Sequence, residues 1–254
     1  VPAAKFSLPG DVPLVEVVAA SLPSLAQLED LAIARTIPGR PELPHKEVDL
    51  DVYRDRAELA RATGDLSLSA SVTDLLAKLD GGRLPHGPFD PGVPKGLTLW
   101  QRLRDCRTRL DDSPGEWLQR SFEGRGRRVE LNGLGFDHRR LVAGVQPDAG
   151  KFADPAIECL AFFALGLFPV RGDGRRLRAR GWRDEPWRRG AFVWPSWEPL
   201  LDRWAIDALL DQVVDCRRIR SLARGLGVSA LFGSVPYTAE GKDPTRAYAS
   251  EQLA

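Results

Sequence analysis

The chain has 254 residues, 43% hydrophobic and 28% charged, with a net charge of only +1. That composition excludes a disordered or fibrous protein and allows one large domain or two ordinary ones. Total charge therefore says nothing of a polyanionic partner. Its distribution says more, with 10 basic against 14 acidic groups in residues 1–100 and 26 against 21 in residues 101–254, so any polyanion site belongs in the second part.

In chain order, Val12, Leu14, Val15, Val17 and Val18 predict an N-terminal strand among Pro2, Pro9 and Pro13. Ser21 or Ser24 is placed to cap a helix over residues 25–35. Alternation of Val48, Leu50 and Val52 with charged residues predicts a half-buried strand over 45–53, and helices are expected over 53–62, 71–80 and 98–110. The Gly/Pro-rich stretch 81–96 reads as a linker or long loop. A short strand is expected at 128–131. Asp154, with Pro155 at the first helical position, starts an apolar core helix reaching about residue 168. Residues 192–197 read as a strand, and a long helix starts near Leu200 or Asp202. On its wheel Ile206, Leu209, Leu210 and Val213 share a face that continues into Arg217, Arg220 and Arg224. Such a stripe demands a break near residue 215 or emergence from the core. The tail, 233–254, is mostly polar and is expected to be loosely held.

Cys106, Cys159 and Cys216 stand more than fifty residues apart, which is no disulfide framework and no zinc spacing. The longest apolar run, Cys159 to Val170, is 12 residues long, short of the roughly 20 that cross a bilayer. No leader is evident at the start, so a cytoplasmic location without membrane contact is expected. The chain contains no methionine, even at position 1, as expected of a processed or partial chain.

Motifs for catalysis are absent. There is no phosphate-binding loop ending in Gly-Lys-Ser/Thr, no complete dinucleotide fingerprint and no His-Glu-x-x-His. His45, His86 and His138 read as surface or polar-contact residues, and Cys159 and Cys216 as core packing. No catalytic residue, metal ligand or cofactor is assigned. The second alternative is a metal-dependent nuclease, its ion held by carboxylates far apart in sequence such as Asp49, Asp51 and Glu58.

The strongest signal is Arg171–Gly190, with eight arginines against three acids and two tryptophans. Guanidinium groups neutralise phosphates, and indole rings stack on bases. Arg125, Arg127, Arg128, Arg171, Arg175, Arg176, Arg178, Arg180, Arg183, Arg188 and Arg189 are the expected phosphate contacts, with Arg217, Arg220 and Arg224 a second strip. Trp182 and Trp187 are the expected stacking or wedge residues. Trp194, Trp197 and Trp204 read as core or interface anchors. The first alternative is a protein-interaction module in which the Trp-rich segment docks a partner and the arginines rim it.

The strings LNGLGFDHRRL (131–141), DPAIECLAFFALGLFPVRGDG (154–174), RGW (180–182) and FVWPSWEPLLDRWAIDALL (192–210) resemble the non-nuclease, large-subunit-like proteins of type I-G (formerly I-U) CRISPR-Cas systems. The likeness covers residues 131–254. It implies a non-catalytic subunit of an RNA-guided surveillance complex of the Cascade type, touching guide RNA and target DNA. Recognition of a flanking motif and help in duplex opening are implied too. Its implied partners are the repeated backbone subunit and the helicase-nuclease. The fold expected is α+β and helix-rich. A mixed α/β region over 1–122 would precede a mainly helical, Arg/Trp-rich region over 123–254, the two joined near 111–130.

Overall fold

The computed structural model describes residues 8, 10–31, 47–65, 83–85, 99–110, 113–131, 133, 137, 152–172, 177–183, 191–212, 225–236 and 248–252. The chain divides into two compact units. One is Gly10–Ala179; the other comprises Val1–Pro9 and Arg180–Ala254. The expected division at 122/123 thus falls inside the first unit.

The first unit is built on helices. They are α1 (Leu14–Ser21), α2 (Leu25–Glu29), α3 (Leu50–Thr63), α4 (Leu99–Arg109), α5 (Pro114–Phe122) and α6 (Pro155–Ala164), the last continued by a 3-10 turn. Short antiparallel pairs accompany them: β1 (Glu47–Asp49) with β2 (Arg83–Pro85), β3 (Val129–Glu130) with β4 (Phe152–Ala153), and β5 (Val170–Gly172) with β6 (Leu177–Ala179). Helix α4 packs on α2 and α6, and α5 on α1 and α6. Their shared core holds Leu28, Leu103, Cys106, Leu118, Cys159 and Phe162, all buried.

Local signals explain the helix starts. Ser24 Oγ accepts from Gln27 N (3.2 Å) while Gln27 Oε1 accepts from Ser24 N (2.8 Å), a reciprocal cap. Asp154 Oδ1 accepts from Ala156 N (3.0 Å), with Pro155 where its missing N–H costs nothing. The strand expected over the N-terminal valines is instead α1. Val15, Val18, Ala19 and Leu22 pack on the core, and their spacing of three and four is the helical period. That period outweighs β-branching where no ladder partner pairs.

The second unit is a four-stranded antiparallel sheet in the order β10-β9-β8-β7, with β7 (Trp182–Arg183), β8 (Ala191–Trp197), β9 (Val228–Pro236) and β10 (Tyr248–Gln252). Helix α7 (Arg203–Gln212) lies between β8 and β9 in sequence, opened by Asp202 Oδ1 accepting from Ala205 N at 2.8 Å. Val193, Leu209 and Leu231 form one core, so α7 covers the Val193/Leu231 face of the sheet. Pro195 sits in a central strand without breaking it. Val193 N donates to Gly181 O (2.7 Å) on the β7 side. By alternation the N–H missing from Pro195 would point to the same side, beyond the end of β7.

The expected fold class is therefore reversed. Helices dominate residues 14–122, where among the described residues the only strands are the three-residue β1 and β2. The C-terminal region expected to be helical mixes helix with most of the strand. The tail is not loose where it is described, since β10 pairs with β9 from Tyr248↔Pro236 to Gln252↔Phe232.

Candidate nucleic-acid interface

The arginine segment opens as a ladder. In β5–β6 the register pairs Val170 with Ala179, Arg171 with Arg178 and Gly172 with Leu177, so one arginine position stands directly against another. Arg183 is paired with Ala191 in β7, which lies at the sheet edge. Arg175, Arg176, Trp187, Arg188, Arg189, Arg217, Arg220 and Arg224 lie outside the described residues, as do His45, His86, His138 and Cys216.

Arg180 has a different role from the one expected. Its side chain is only 2% exposed. Nε donates to Asp211 Oδ1 (2.8 Å) and NH1 to Asp207 Oδ1 (2.5 Å). Asp207 and Asp211 are one turn apart on α7, a spacing that a planar guanidinium spans with two edges. The chain's own carboxylates thus occupy Arg180, and it is withdrawn from the phosphate contacts. The next residue, Gly181, has φ +79°, and a Cβ there would meet Phe192 Cε2 at 2.6 Å and Val193 O at 3.0 Å. Only glycine allows the turn that separates the clamp from β7.

The EGRGRR segment is also partly committed. Arg125 is exposed and ion-paired with Glu123, whose carboxyl is held below its ordinary range by hydrogen bonds from Gln119 and Arg125. The Arg127 guanidinium lies over the Trp117 ring, 5.5 Å from its centroid. Arg128 NH2 donates to Phe152 O (2.7 Å), and its Nε lies 3.5 Å from Asp137 Oδ2. Arg128 therefore ties β3 to β4, while Arg125 and Arg127 remain at the surface.

Three buried carboxylates, Asp137, Asp154 and Glu158, join the two halves of the first unit's final segment. Glu158 Oε1 accepts from Asp137 N (3.0 Å), Asp137 Oδ2 from Asp154 N (3.0 Å), and Asp154 Oδ2 from Ser121 Oγ (2.8 Å). Arg102 NH1 donates to Gly133 O (2.8 Å). These bonds tie Asp137 to the first turn of α6, and that turn to α5. Among the described residues no group of three or more His, Cys, Asp or Glu is arranged to hold a metal. Asp51 and Glu58 lie seven residues apart on α3, about 10 Å along the axis, too far to share an ion. Burial pushes the Cys159 thiol up to about 12 and that of Cys106 further still. Both stay protonated at neutral pH and are poor nucleophiles.

Exposure narrows the roles of two tryptophans. Trp182, expected to stack on bases, is only 8% exposed. Trp204, expected in a core or interface, is 74% exposed on α7, which excludes the core and leaves the interface, and Leu200 is 63% exposed. The Arg203 guanidinium lies 5.6 Å from the Trp204 ring centroid.

The register explains the remaining rings. Trp182 is paired with Phe192, and Trp194 with Phe232. Paired residues share a face, and strand alternation puts these four on the face opposite Val193 and α7. They form a continuous row: Trp182–Phe192 at 5.9 Å between centroids, Phe192–Trp194 at 5.4 Å and Trp194–Phe232 at 6.1 Å. The last two pairs are near-parallel, at 26° and 21°. Phe192, Trp194 and Phe232 are partly exposed. Phe232 was missed in the sequence because only the register of β9 brings it to Trp194.

Comparison with known proteins finds no match to any family model, any curated protein or any solved structure. Among the described residues no helix is long and apolar enough to cross a membrane.

Proposed function

We propose that this chain is a non-catalytic nucleic-acid-binding subunit of an RNA-guided surveillance complex, contacting guide RNA or target DNA. The CRISPR assignment is supported by the resemblance of residues 131–254 alone. The binding assignment is supported chiefly by the partly exposed aromatic row Phe192–Trp194–Phe232 on the sheet face opposite α7, because rings on a sheet face accept bases without sequence choice. Trp182 backs the row rather than wedging into a duplex. Arg183 in the edge strand β7 is the cationic position proposed for this unit, and Arg171 and Arg178 in β5–β6 are those proposed separately for the first unit. Mobility shift of guide RNA, single-stranded DNA and a guide–target duplex over a salt series tests this reading. Binding that weakens steeply with salt supports it, and no shift of any of the three at low salt overturns it.

One observation favours a protein-docking role for another face. Exposed Trp204 with Leu200 is the type of aromatic anchor that interfaces bury. Trp204→Ala is expected to leave stability within about 0.5 kcal/mol of the parent while weakening a subunit complex that survives nuclease and high salt. Undiminished assembly of the variant would remove this role.

A further inference from the structure

Trp204, at 74%, is the most exposed large apolar side chain among the described residues. We infer that the face of α7 carrying it meets the same face of a second copy of this chain, with the two helices antiparallel; this names the partner for the protein-docking reading of Trp204 and rests on that reading. Residues four apart stack into rows along a helix, and two such rows make up this face. One row is Trp204, Ala208 and Gln212, all exposed; beside it run Arg203, Asp207 and Asp211. A two-fold axis across an antiparallel pair brings each row against the same row of the other copy.

Size and charge both complement themselves in that arrangement. In the first row a large residue stands one turn, about 6 Å, from a small one. Trp204 of one copy over Ala208 of the other matches large to small, twice by symmetry. That pairing fixes the register. Arg203 then faces the level of Leu209 in the other copy, between Asp207 and Asp211, so a cation at the start of one helix meets acids in the later turns of the other. A parallel pair would set Arg203 against Arg203 instead. Asp207 and Asp211 hold Arg180 within their own copy, yet their side chains are 46% and 45% exposed, and a carboxylate accepts several hydrogen bonds. Arg203 is exposed, with its guanidinium over its own Trp204 ring, so cation and indole enter the contact together. A single helix pair buries less than a standard interface, so the dissociation constant is expected on the order of 10–100 µM.

The test is sedimentation equilibrium of the full, nuclease-treated chain over about 1 to 300 µM. The parent is expected to pass from monomer to dimer across that range. Trp204→Ala and Arg203→Glu each alter both halves of a two-fold contact and are each expected to weaken association by about tenfold or more. Trp204→Ala/Ala208→Trp exchanges the large and small positions and rebuilds the same register, so association should return. Thermal midpoints close to the parent's show that the variants are folded. A parent that stays monomeric throughout, single variants that dimerise like the parent, or an exchanged variant that stays monomeric overturns the inference. The docking reading survives that outcome if Trp204→Ala still weakens a complex with other subunits, and it falls if that assembly too is undiminished.

Discussion

Arg180 separates a structural from a nucleic-acid role most sharply. Its guanidinium is 2% exposed and bridges Asp207 and Asp211, which are 46% and 45% exposed. Arg180→Met keeps much of the apolar stem and removes two charge-assisted bonds worth about 1.5–3 kcal/mol each. The freed carboxylates can turn to water, so the expected cost lies near the low end, about 2–3 kcal/mol in all. The converse change, Asp207→Asn with Asp211→Asn, leaves a buried cation without its counter-charges and is expected to cost more, about 3–5 kcal/mol. Urea unfolding followed by tryptophan fluorescence reads both. The salt slope of nucleic-acid binding in Arg180→Met should match the parent's, since no phosphate contact is lost. Stability of Arg180→Met within 0.5 kcal/mol of the parent, with a shallower salt slope, would refute the clamp and return Arg180 to the binding surface.

Gly126→Ala places a Cβ 1.9 Å from Asp154 Oδ2; urea unfolding should show a loss of about 2 kcal/mol or more from displacing the cap of α6. Cys159 titrates near 9 when free and near 12 when folded. The folded state holds a proton that the unfolded chain releases, so this stability is whole below pH 9 and is lost between pH 9 and 12. Urea midpoints over that window should fall more steeply for the parent than for Cys106→Ala/Cys159→Ala, by on the order of 1 kcal/mol per pH unit per thiol.

What could be read in advance was local. Ser24, the Asp154–Pro155 pair and Asp202 announce helix starts through their own side chains, and the starts fall there. The N-terminal valines misled because β-branching and helical spacing were both present, and core packing decided between them. The sheet was the least legible part. β9 and β10 pair through register alone, and the fourth strand lies in a tail whose composition is polar. The site divides in the same way. Phe192 and Trp194 alternate visibly, whereas Phe232 joins them only through register. Arg180 and Trp182 were indistinguishable from their neighbours in composition. Gly181, at positive φ, stands between them, and a side chain there would clash with Phe192.

The account stands most directly on the salt dependence of oligo-dT binding, measured for the parent and for Arg171→Ala/Arg178→Ala/Arg183→Ala. Log affinity is expected to fall linearly with log salt, and the triple variant's slope should be shallower by about 2, at roughly 0.7 per lost phosphate contact on a single strand. A parent that does not bind at low salt, or a slope identical in the variant, would contradict it.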